Sequence, residues 1–327
     1  MLRIVRPAPP VCAVLCLLAA VGGRAQSAPP TRPADPQEPP TFTSDTRLVV
    51  LHASVVDHSG KLLTNLPEKA FKVFENGKPQ QIKRFLREDV PVSMGIIVDN
   101  SASMREKRKQ VEAAAIDLVR SSNPQDEVFI VNFNDESYLD VPFTNDLKKL
   151  EAGLARIDSR GGTALRDSIS GSIDYLKKKG KKDKKVLLVI TDGADTASDD
   201  RNTLEKLVNK AEQSGVLVYA IGLLDEEDRH EQKKAKRVLE ALSRNTGGSV
   251  FYPKSAADVD PITLGVAREI RNQYVIEYSP SIQQLDGSFR EIKVTVDGPG
   301  RPTVRTRTGY YATADVKSST EIVEKRP

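Results

Sequence analysis

The chain has 327 residues, of which 39% are hydrophobic and 29% are charged, proportions typical of a folded soluble protein and not of a disordered one. Its formal net charge is only +4, and three of the positive charges, Arg3, Arg6 and Arg24, lie in the first 25 residues. The rest of the chain is therefore nearly neutral, which argues against nucleic acid as a partner, because such binding requires a strongly basic surface.

Residues 1–25 have the features of a secretory signal peptide. Two arginines precede an apolar run at residues 11–21, "VCAVLCLLAAV", and small residues follow it, so we expect cleavage after Ala25. The alternative is an uncleaved membrane anchor, although the run is short for a bilayer. Both cysteines, Cys12 and Cys16, lie inside this segment, and the mature protein would therefore have no thiol. We expect a secreted or periplasmic protein of the bacterial envelope without a stable membrane span.

Two further segments are predicted to be disordered. Residues 26–45 contain six prolines among small and polar residues, a composition that favours an extended tether. Residues 313–327 are expected to form a disordered tail.

Strand-like sequences flank the central part of the chain on both sides. The N-terminal flank, residues 46–89, contains a β-rich run at 47–57 and a second one at 71–86, in which Asn76-Gly77 is a strong hairpin signal. Neither flank has enough strands for a stable sheet alone, so we predict one small antiparallel β-sandwich assembled from both. The alternative is two separate β appendages. The C-terminal flank, residues 272–312, contains three alternating runs, at 272–280, 289–298 and 303–311.

Between the flanks, residues 90–271 alternate between strand and helix patterns. This alternation predicts a doubly wound, mostly parallel α/β sheet, in which ligands bind at the carboxyl ends of the strands. The predicted strands are 92–99, 127–134, 184–193, 216–223 and 249–253. The predicted helices are 105–120, 146–157, 163–180, 202–215, 231–248 and 258–272.

The ends of two apolar strands carry oxygen-bearing side chains. The segment "GIIVDNSASM" places Asp99, Ser101 and Ser103 on alternate residues, and "VITDG" places Asp192 just past another strand. A glycine-rich loop, "RGGTAL", adds Thr163. If the two strands are neighbours, we expect the two carboxylates to face the same crevice. The alternative is that all of these residues serve only in turns and helix caps.

The five side chains offer two carboxylates and three hydroxyls, without histidine or cysteine. Such an all-oxygen set suits Mg²⁺, Mn²⁺ or Ca²⁺ and does not suit Zn²⁺. Because two acids leave the charge of the site unsaturated, a metal held there would attract a carboxylate from outside. The residues thus favour a divalent-metal-dependent binding module.

The three motifs "DNSAS", "GGT" and "TDG", in this order, resemble the metal-ion-dependent adhesion site of von Willebrand factor type A domains. The resemblance covers roughly residues 90–271. It implies that the first motif ligates a metal directly, that Thr163 and Asp192 do so directly or through water, and that an Asp or Glu of a protein partner completes the coordination. The flanking sequences "KVFENGKPQ" and "TRTGYY" resemble those of bacterial secreted proteins related to this domain.

A Mg²⁺-dependent phosphotransferase with Asp99 as nucleophile is the alternative function. Haloacid-dehalogenase-like phosphatases also begin with an apolar strand ending in Asp, but they need a second acid two residues later. Here that position is Ser101, and hydroxyls are poor general bases, so we prefer a binding protein that is not an enzyme. Asn100, Gly162 and Asp195 are further candidates for ligand contact, although an acidic stretch such as the one around Asp195 is more commonly a solvated loop.

The last predicted helix, residues 258–272, continues directly into the strand "QYVIEYSP". In integrin inserted domains, which this region resembles, ligand binding at the metal is coupled to displacement of the last helix. Two expectations follow: either binding changes the angle between the α/β region and the β-sandwich, or the sandwich is a rigid mount.

Overall fold

The computed structural model describes residues 47–87, 89–155, 159–224, 229–298 and 300–313. The predicted signal peptide, the proline-rich tether and the tail beyond Thr313 lie outside these residues. In chain order the strands are β1 (Val49–Val56), β2 (Phe71–Glu75), β3 (Lys78–Gln80), β4 (Ile82–Leu86), β5 (Val92–Asp99), β6 (Glu127–Phe133), β7 (Ser137–Thr144), β8 (Lys184–Thr191), β9 (Leu217–Gly222), β10 (Val250–Phe251), β11 (Tyr274–Tyr278), β12 (Phe289–Val296), β13 (Thr303–Arg305) and β14 (Gly309–Tyr311). The α-helices are α1 (Arg108–Arg120), α2 (Leu147–Leu154), α3 (Leu165–Lys179), α4 (Leu204–Ser214), α5 (Arg229–Thr246) and α6 (Val259–Arg271).

A six-stranded sheet with the order β10-β9-β8-β5-β6-β7 forms the centre of the α/β region. Its neighbouring strands are parallel except for β7, which runs antiparallel to β6. Helices α1, α2 and α6 pack on one face, and α3, α4 and α5 on the other. Because both faces are covered, all of β5 and nearly all of β8 are buried. The predicted doubly wound, mostly parallel sheet is confirmed.

Strand β5 lies at the point where the winding of the sheet reverses direction. It pairs with β6 on one side and with β8 on the other. The chain therefore leaves β5 in one direction and returns to its opposite side after α3. Loops that leave two such strands diverge to opposite faces and open a crevice between their carboxyl ends, and this crevice is where Asp99 and Asp192 lie.

The antiparallel edge strand β7 was not predicted from the sequence. Its eight residues include Pro142, which cannot donate to a sheet ladder, and only Val141 among them is buried. Such a strand belongs at a sheet edge and lacks the apolar alternation by which strands are recognised.

The strands from the two flanks combine in two antiparallel four-stranded sheets. Their orders are β13-β1-β11-β4 and β14-β12-β2-β3, so each sheet contains strands from before and after the α/β region. Apolar side chains of both sheets form one shared core, with Leu51 and Ile276 from the first and Val73 and Ile292 from the second. The antiparallel β-sandwich of the predicted fold class is present. The domain boundaries predicted near residues 90 and 272 stay predictions.

The predicted hairpin at Asn76-Gly77 is present between β2 and β3. Both residues have positive φ angles, 48° and 74°, as the mirror-image turns of two-residue hairpins require. The predicted strand 303–311, by contrast, is divided into β13, which pairs with β1, and β14, which pairs with β12. The division occurs where the Thr308 amide donates to the Asn245 carbonyl of α5, so the chain crosses from one sheet to the other along the α/β region.

In the part of the chain that the structure describes, none of the helices combines the length and the hydropathy needed to cross a bilayer.

Candidate metal centre

Strands β5 and β8 bring the first and third motifs together. Val98 of β5 pairs with Ile190 of β8, so Asp99 and Asp192 leave the same edge of the sheet side by side. Both carboxylates are fully buried, with 0% exposure. The two acids therefore face one crevice, as expected if their strands are neighbours.

A run of hydrogen bonds joins four of the five predicted ligands. The Ser101 amide donates to Asp99 Oδ1 at 2.9 Å, and the Ser101 and Ser103 hydroxyls lie 3.1 Å apart. The Ser103 hydroxyl donates to Asp192 Oδ1 at 2.8 Å. Ser101 is buried and Ser103 is exposed, so the cluster extends from the interior of the crevice to the protein surface.

Helix capping does not account for Ser101. It occupies the N-cap position of a single 3₁₀ turn, Ala102–Glu106, but its side chain makes no capping hydrogen bond. Its hydroxyl lies against that of Ser103 instead. A serine at an N-cap ordinarily accepts a bond from the backbone of the first turn, and the departure from this pattern leaves the hydroxyl directed at the cluster.

Asn100 and Arg108 support the first motif from inside the protein. Asn100 is 7% exposed, and its Oδ1 accepts from the Ser159 hydroxyl at 3.1 Å and from Arg108 Nε at 3.4 Å. Arg108, the first residue of α1, is fully buried and also donates to Asn132 Oδ1 at 2.7 Å and to the Leu154 carbonyl at 3.1 Å. Burial lowers the pKa of Arg108. The Asn100 side chain thus faces the interior and holds the loop in place.

The glycine-rich loop that carries Thr163 is bonded to the first motif and to the segment that follows the third. The Thr163 amide donates to Thr196 Oγ1 at 2.9 Å, and the Thr163 carbonyl accepts from the Thr196 amide at 2.9 Å. The Ala102 amide donates to the Gly161 carbonyl at 3.3 Å, which joins this loop to the first motif. Thr163 itself is 5% exposed.

Glycine is required at the start of this loop. Gly161 has a φ of 72°, and a Cβ there would lie 2.0 Å from Asp135 Oδ2. The same carboxylate accepts from the Gly162 amide at 2.8 Å, while Gly162 itself is partly exposed. Asp135, in the turn between β6 and β7, therefore fixes the backbone that presents Thr163.

The Asp195 carboxylate makes hydrogen bonds to other residues of the protein. Its Oδ2 accepts from the Arg166 amide at 2.6 Å and from the Ser198 hydroxyl at 2.6 Å. The Arg166 guanidinium lies 3.3 Å from the same oxygen. An acid at the first turn of a helix is favourable, and Asp195 here connects the start of α3 to the loop that follows the third motif.

Residues 94–194, which include all three motifs, match the family model of the von Willebrand factor type A domain. The chain contains a von Willebrand factor type A domain. Calcium-activated chloride channel regulator 1 of Equus caballus is 25% identical over 170 residues, which make up 50% of this chain and 17% of that protein. For the Mus musculus protein of the same name the matched share is 16% of its length, so the similarity concerns a small part of these relatives.

One solved structure that covers most of this chain resembles it in fold. A von Willebrand factor type A protein from Catenulispora acidiphila shares 13% identity, with 86% of this chain and 78% of that chain covered and a TM-score of 0.50. The vWF domain of the type V pili tip protein Mfa5 from Porphyromonas gingivalis shares 14% identity, with 56% and 97% covered and a TM-score of 0.45.

The type A domain holds Asp99 in an environment unfavourable for a lone carboxylate. Burial raises the pKa of Asp99 to about 6; a hydrogen bond from Thr191 opposes this rise, and the charge of Asp192 adds to it. Asp99 is thus mostly ionised at neutral pH, yet it lies beside a second carboxylate in a buried place. Such a pair is stabilised by a nearby positive charge.

Lys107 supplies one such charge. Its Nζ lies 3.0 Å from Asp192 Oδ2, and its side chain is only 12% exposed. Asp192 therefore uses one oxygen for Ser103 and the other for Lys107. The position of Lys107, at the end of the 3₁₀ turn that follows the first motif, was not recognised in the sequence.

The donor set of the type A domain fits a hard divalent cation. Within the described residues, no group of three or more His, Cys, Asp and Glu side chains is placed to hold a metal, so a cation here would depend on hydroxyls as well as on acids. Carboxylate and hydroxyl oxygens are ligands for Mg²⁺, Mn²⁺ and Ca²⁺. The charge of the cation would also compensate the two buried acids.

Proposed function

We propose that this type A domain is a binding module that depends on a divalent cation, Mg²⁺ or else Mn²⁺ or Ca²⁺. Asp99, Ser101, Ser103, Thr163 and Asp192 would hold the cation. An Asp or Glu side chain of a protein partner would complete its coordination. When bound, the cation would supply the positive charge that attracts this carboxylate.

The cluster formed by Ser101, Ser103 and the two acids carries this proposal. Two carboxylates at the carboxyl ends of adjacent parallel strands are joined through the Ser101 amide and the Ser101 and Ser103 hydroxyls, at hydrogen-bond distances of 2.8–3.1 Å. The acids are fully buried and the outermost hydroxyl is exposed, so the site has both a charged interior and an opening to a partner. Burial strengthens electrostatic interactions because it excludes water.

Gly162, Asn100 and Asp195, the other residues predicted to contact a ligand, would have different roles. Gly162 is partly exposed on the loop that presents Thr163, and it would lie beside a bound partner. The side chains of Asn100 and Asp195 are engaged with Arg108 and Arg166. They would therefore hold the loops that carry the proposed ligands in place. They would influence the partner only indirectly, through the position of the cation.

The phosphotransferase alternative is disfavoured by the surroundings of Asp99. Its carboxylate is fully buried, and its two oxygens accept bonds from the Ser101 amide and the Thr191 hydroxyl. A nucleophile has to reach the phosphorus of its substrate in line, and complete burial of this carboxylate hinders a phosphate ester more than it hinders a small cation. A phosphatase screen in Mg²⁺ would test the point, since turnover that Asp99→Asn abolishes would support the enzyme.

Calorimetric titration of the protein with MgCl₂ tests the binding site. We expect one cation per chain for the wild type and none for Asp99→Ala. Asp199→Ala is the matched control, because Asp199 is an exposed acid on a nearby loop whose carboxylate is paired with Arg201. Equal binding by the wild type and Asp99→Ala would exclude the proposed site.

The proposed location is the bacterial envelope or the exterior of the cell. It rests on the predicted signal peptide, which lies outside the described residues. Mass spectrometry of the protein recovered from periplasm and medium should find a chain that begins at Gln26. A full-length chain retained in the membrane fraction would instead support the uncleaved anchor.

A further inference from the structure

The ammonium of Lys107 is a positively charged group in contact with the proposed ligand Asp192. The Lys107 Nζ to Asp192 Oδ2 distance is 3.0 Å, with side-chain exposures of 12% and 0%. The other oxygen, Oδ1, accepts from Ser103 and so faces the hydroxyl cluster. Lys107 therefore binds the side of the carboxylate that is turned away from the other proposed ligands and can keep this contact while Oδ1 serves a cation.

On electrostatic grounds, the charge of Lys107 would affect the two proposed binding steps in opposite directions. Asp99, Asp192 and Lys107 together carry a net charge of minus one, and a divalent cation would change this to plus one. With a neutral residue at position 107, the same loaded site would be electrically neutral. A nearby positive charge repels the incoming cation and attracts an incoming carboxylate, and both effects are strong where water is excluded.

We propose that Lys107 sets the balance between the two steps: it weakens the affinity of the site for the divalent cation and strengthens the affinity of the loaded site for an acidic side chain. This inference rests on the proposed function. It makes Lys107 a residue that determines specificity for an anionic partner. The cation would remain exchangeable, and the loaded site would keep a positive charge for the partner to neutralise.

A plain structural salt bridge would behave differently. Loss of a contact that only holds Asp192 in position would weaken cation binding and carboxylate binding together. Under the present proposal, removal of the charge strengthens the first and weakens the second. The opposite signs of the two changes therefore separate an electrostatic effect from a positioning effect.

The experiment uses the full chain and Mn²⁺ as the probe metal. Binding of Mn²⁺ is measured by calorimetry, and binding of acetate to the Mn²⁺-loaded protein is measured by water-proton relaxation. The variants are Lys107→Met and Lys107→Gln, with Lys107→Arg to retain the charge and Lys109→Met as a control at an exposed position two residues away. We expect the two neutral variants to bind Mn²⁺ about tenfold more tightly and acetate several-fold more weakly. Lys107→Arg and Lys109→Met should behave like the wild type.

The outcomes distinguish this inference from the proposed function. If the wild type does not bind Mn²⁺, both are wrong. If the wild type binds Mn²⁺ and Asp99→Ala does not, the proposed site stands, and unchanged or weaker Mn²⁺ binding by folded Lys107→Met and Lys107→Gln overturns the inference alone. Thermal unfolding followed by circular dichroism shows which variants are folded, and the two neutral substitutions provide a second test if one fails to fold.

Discussion

The Thr191 hydroxyl donates a 2.5 Å hydrogen bond to Asp99 Oδ2 and so joins the ends of two neighbouring parallel strands. Both residues are fully buried. The bond satisfies one oxygen of a carboxylate whose pKa is raised by burial, and it opposes that rise. The bond from Thr191 thus favours the ionised form of Asp99, although Thr191 is not among the proposed ligands.

Replacement of Thr191 by Val should show how much this hydrogen bond contributes to the free energy of unfolding. The substitution removes the hydroxyl at nearly constant volume, so Asp99 loses a charge-assisted partner in a buried place. We expect the free energy of unfolding at pH 7 to fall by about 1–3 kcal/mol, measured by urea denaturation in the presence of a chelator. Thr191→Ser keeps the hydroxyl and should lose clearly less. Equal losses for the two variants would mean that the methyl group contributes as much as the bond, and no loss in Thr191→Val would show that the bond does not stabilise this position.

Replacement of Arg108 by Met should destabilise the protein and weaken the metal site together. The change removes the Arg108 donor from the Asn132 and Leu154 oxygens and one of two donors from Asn100 Oδ1, and each buried group left unsatisfied costs about 1–3 kcal/mol. Urea denaturation measures the first effect and MgCl₂ calorimetry the second. Arg120→Met, at the other end of the same helix, removes a half-exposed ion pair with Glu151 and should cost at most about 1 kcal/mol. Similar losses for both variants would show that Arg108 is not specially required.

The sequence was sufficient for the parallel strands of the central sheet and for its helices because these elements have strong and different periodicities. The first and third motifs could be placed at one edge of the sheet, since parallel strands present their carboxyl ends together. The partners that complete the site could not be predicted, because Thr191 and Asp99 are 92 residues apart and Lys107 and Asp192 are 85 residues apart. Arg108 was missed for another reason: arginine is usually exposed, and its burial depends on acceptors from separate elements.

Buried Lys184 should make stability depend on pH above neutrality. Burial lowers the pKa of Lys184 from 10.5 to about 7, while the charges of Asp89 and Asp126 oppose the decrease; the ammonium donates to the Ile270 carbonyl. Between these two pH values the unfolded chain binds more protons than the folded one, so the free energy of unfolding rises with pH, by at most about 1.4 kcal/mol per pH unit.

The comparison of Lys184→Met with the wild type isolates this contribution. Urea denaturation between pH 7.5 and 9.5 should give a clearly smaller slope for the variant, because it has no titrating group at this position. Lys181→Met, at an exposed position of the same segment, should keep the wild-type slope. The same slope in all three proteins would mean that Lys184 keeps an ordinary pKa in the folded state.

Glu75 should couple the two flanks of the chain energetically. It lies on β2 and is 2% exposed, and its Oε2 accepts from the hydroxyls of Tyr278 on β11 and Tyr310 on β14. A double-mutant cycle between Glu75→Gln and Tyr278→Phe should give a coupling energy of roughly 1 kcal/mol or more, as for residues in one hydrogen-bond network. Tyr311→Phe removes a hydroxyl that contacts Asn209 instead, so its cycle with Glu75→Gln should be additive. Additivity in both cycles would show that Glu75 does not couple the two flanks.

The end of α6 is held by residues of both the α/β region and the β-sandwich. Glu269, in the last turn, accepts from the Tyr219 hydroxyl at 3.3 Å and from the Ser249 hydroxyl at 3.2 Å. Arg305 of β13 lies 3.5 Å from Glu269 Oε2 and donates to Ser249 Oγ at 2.7 Å. Just after the helix, Gln273 Nε2 donates to Tyr219 at 3.2 Å and to Ser54 of β1 at 3.1 Å.

This network favours the rigid mount over a change of angle. Displacement of α6 along its axis would break several buried hydrogen bonds, each of which costs about 1–3 kcal/mol when a polar group is left unsatisfied. Binding of a cation and a carboxylate can move the helix only if they bind the displaced arrangement better by at least that sum. We therefore expect α6 to keep its place when the site is filled.

A fluorophore pair on cysteines at Lys78 and Lys206 tests this expectation. Both lysines are exposed, one on β3 and the other on α4, and replacement of Cys12 and Cys16 by Ser leaves only the two labelled thiols. Transfer efficiency should stay constant when Mg²⁺ and then acetate are added to saturation. Asp99→Ala is the control that cannot fill the site. A change in efficiency that occurs in the wild type and is absent in Asp99→Ala would show that binding does move the sandwich, and Arg305→Ala, which loosens the end of α6, should then make that change larger.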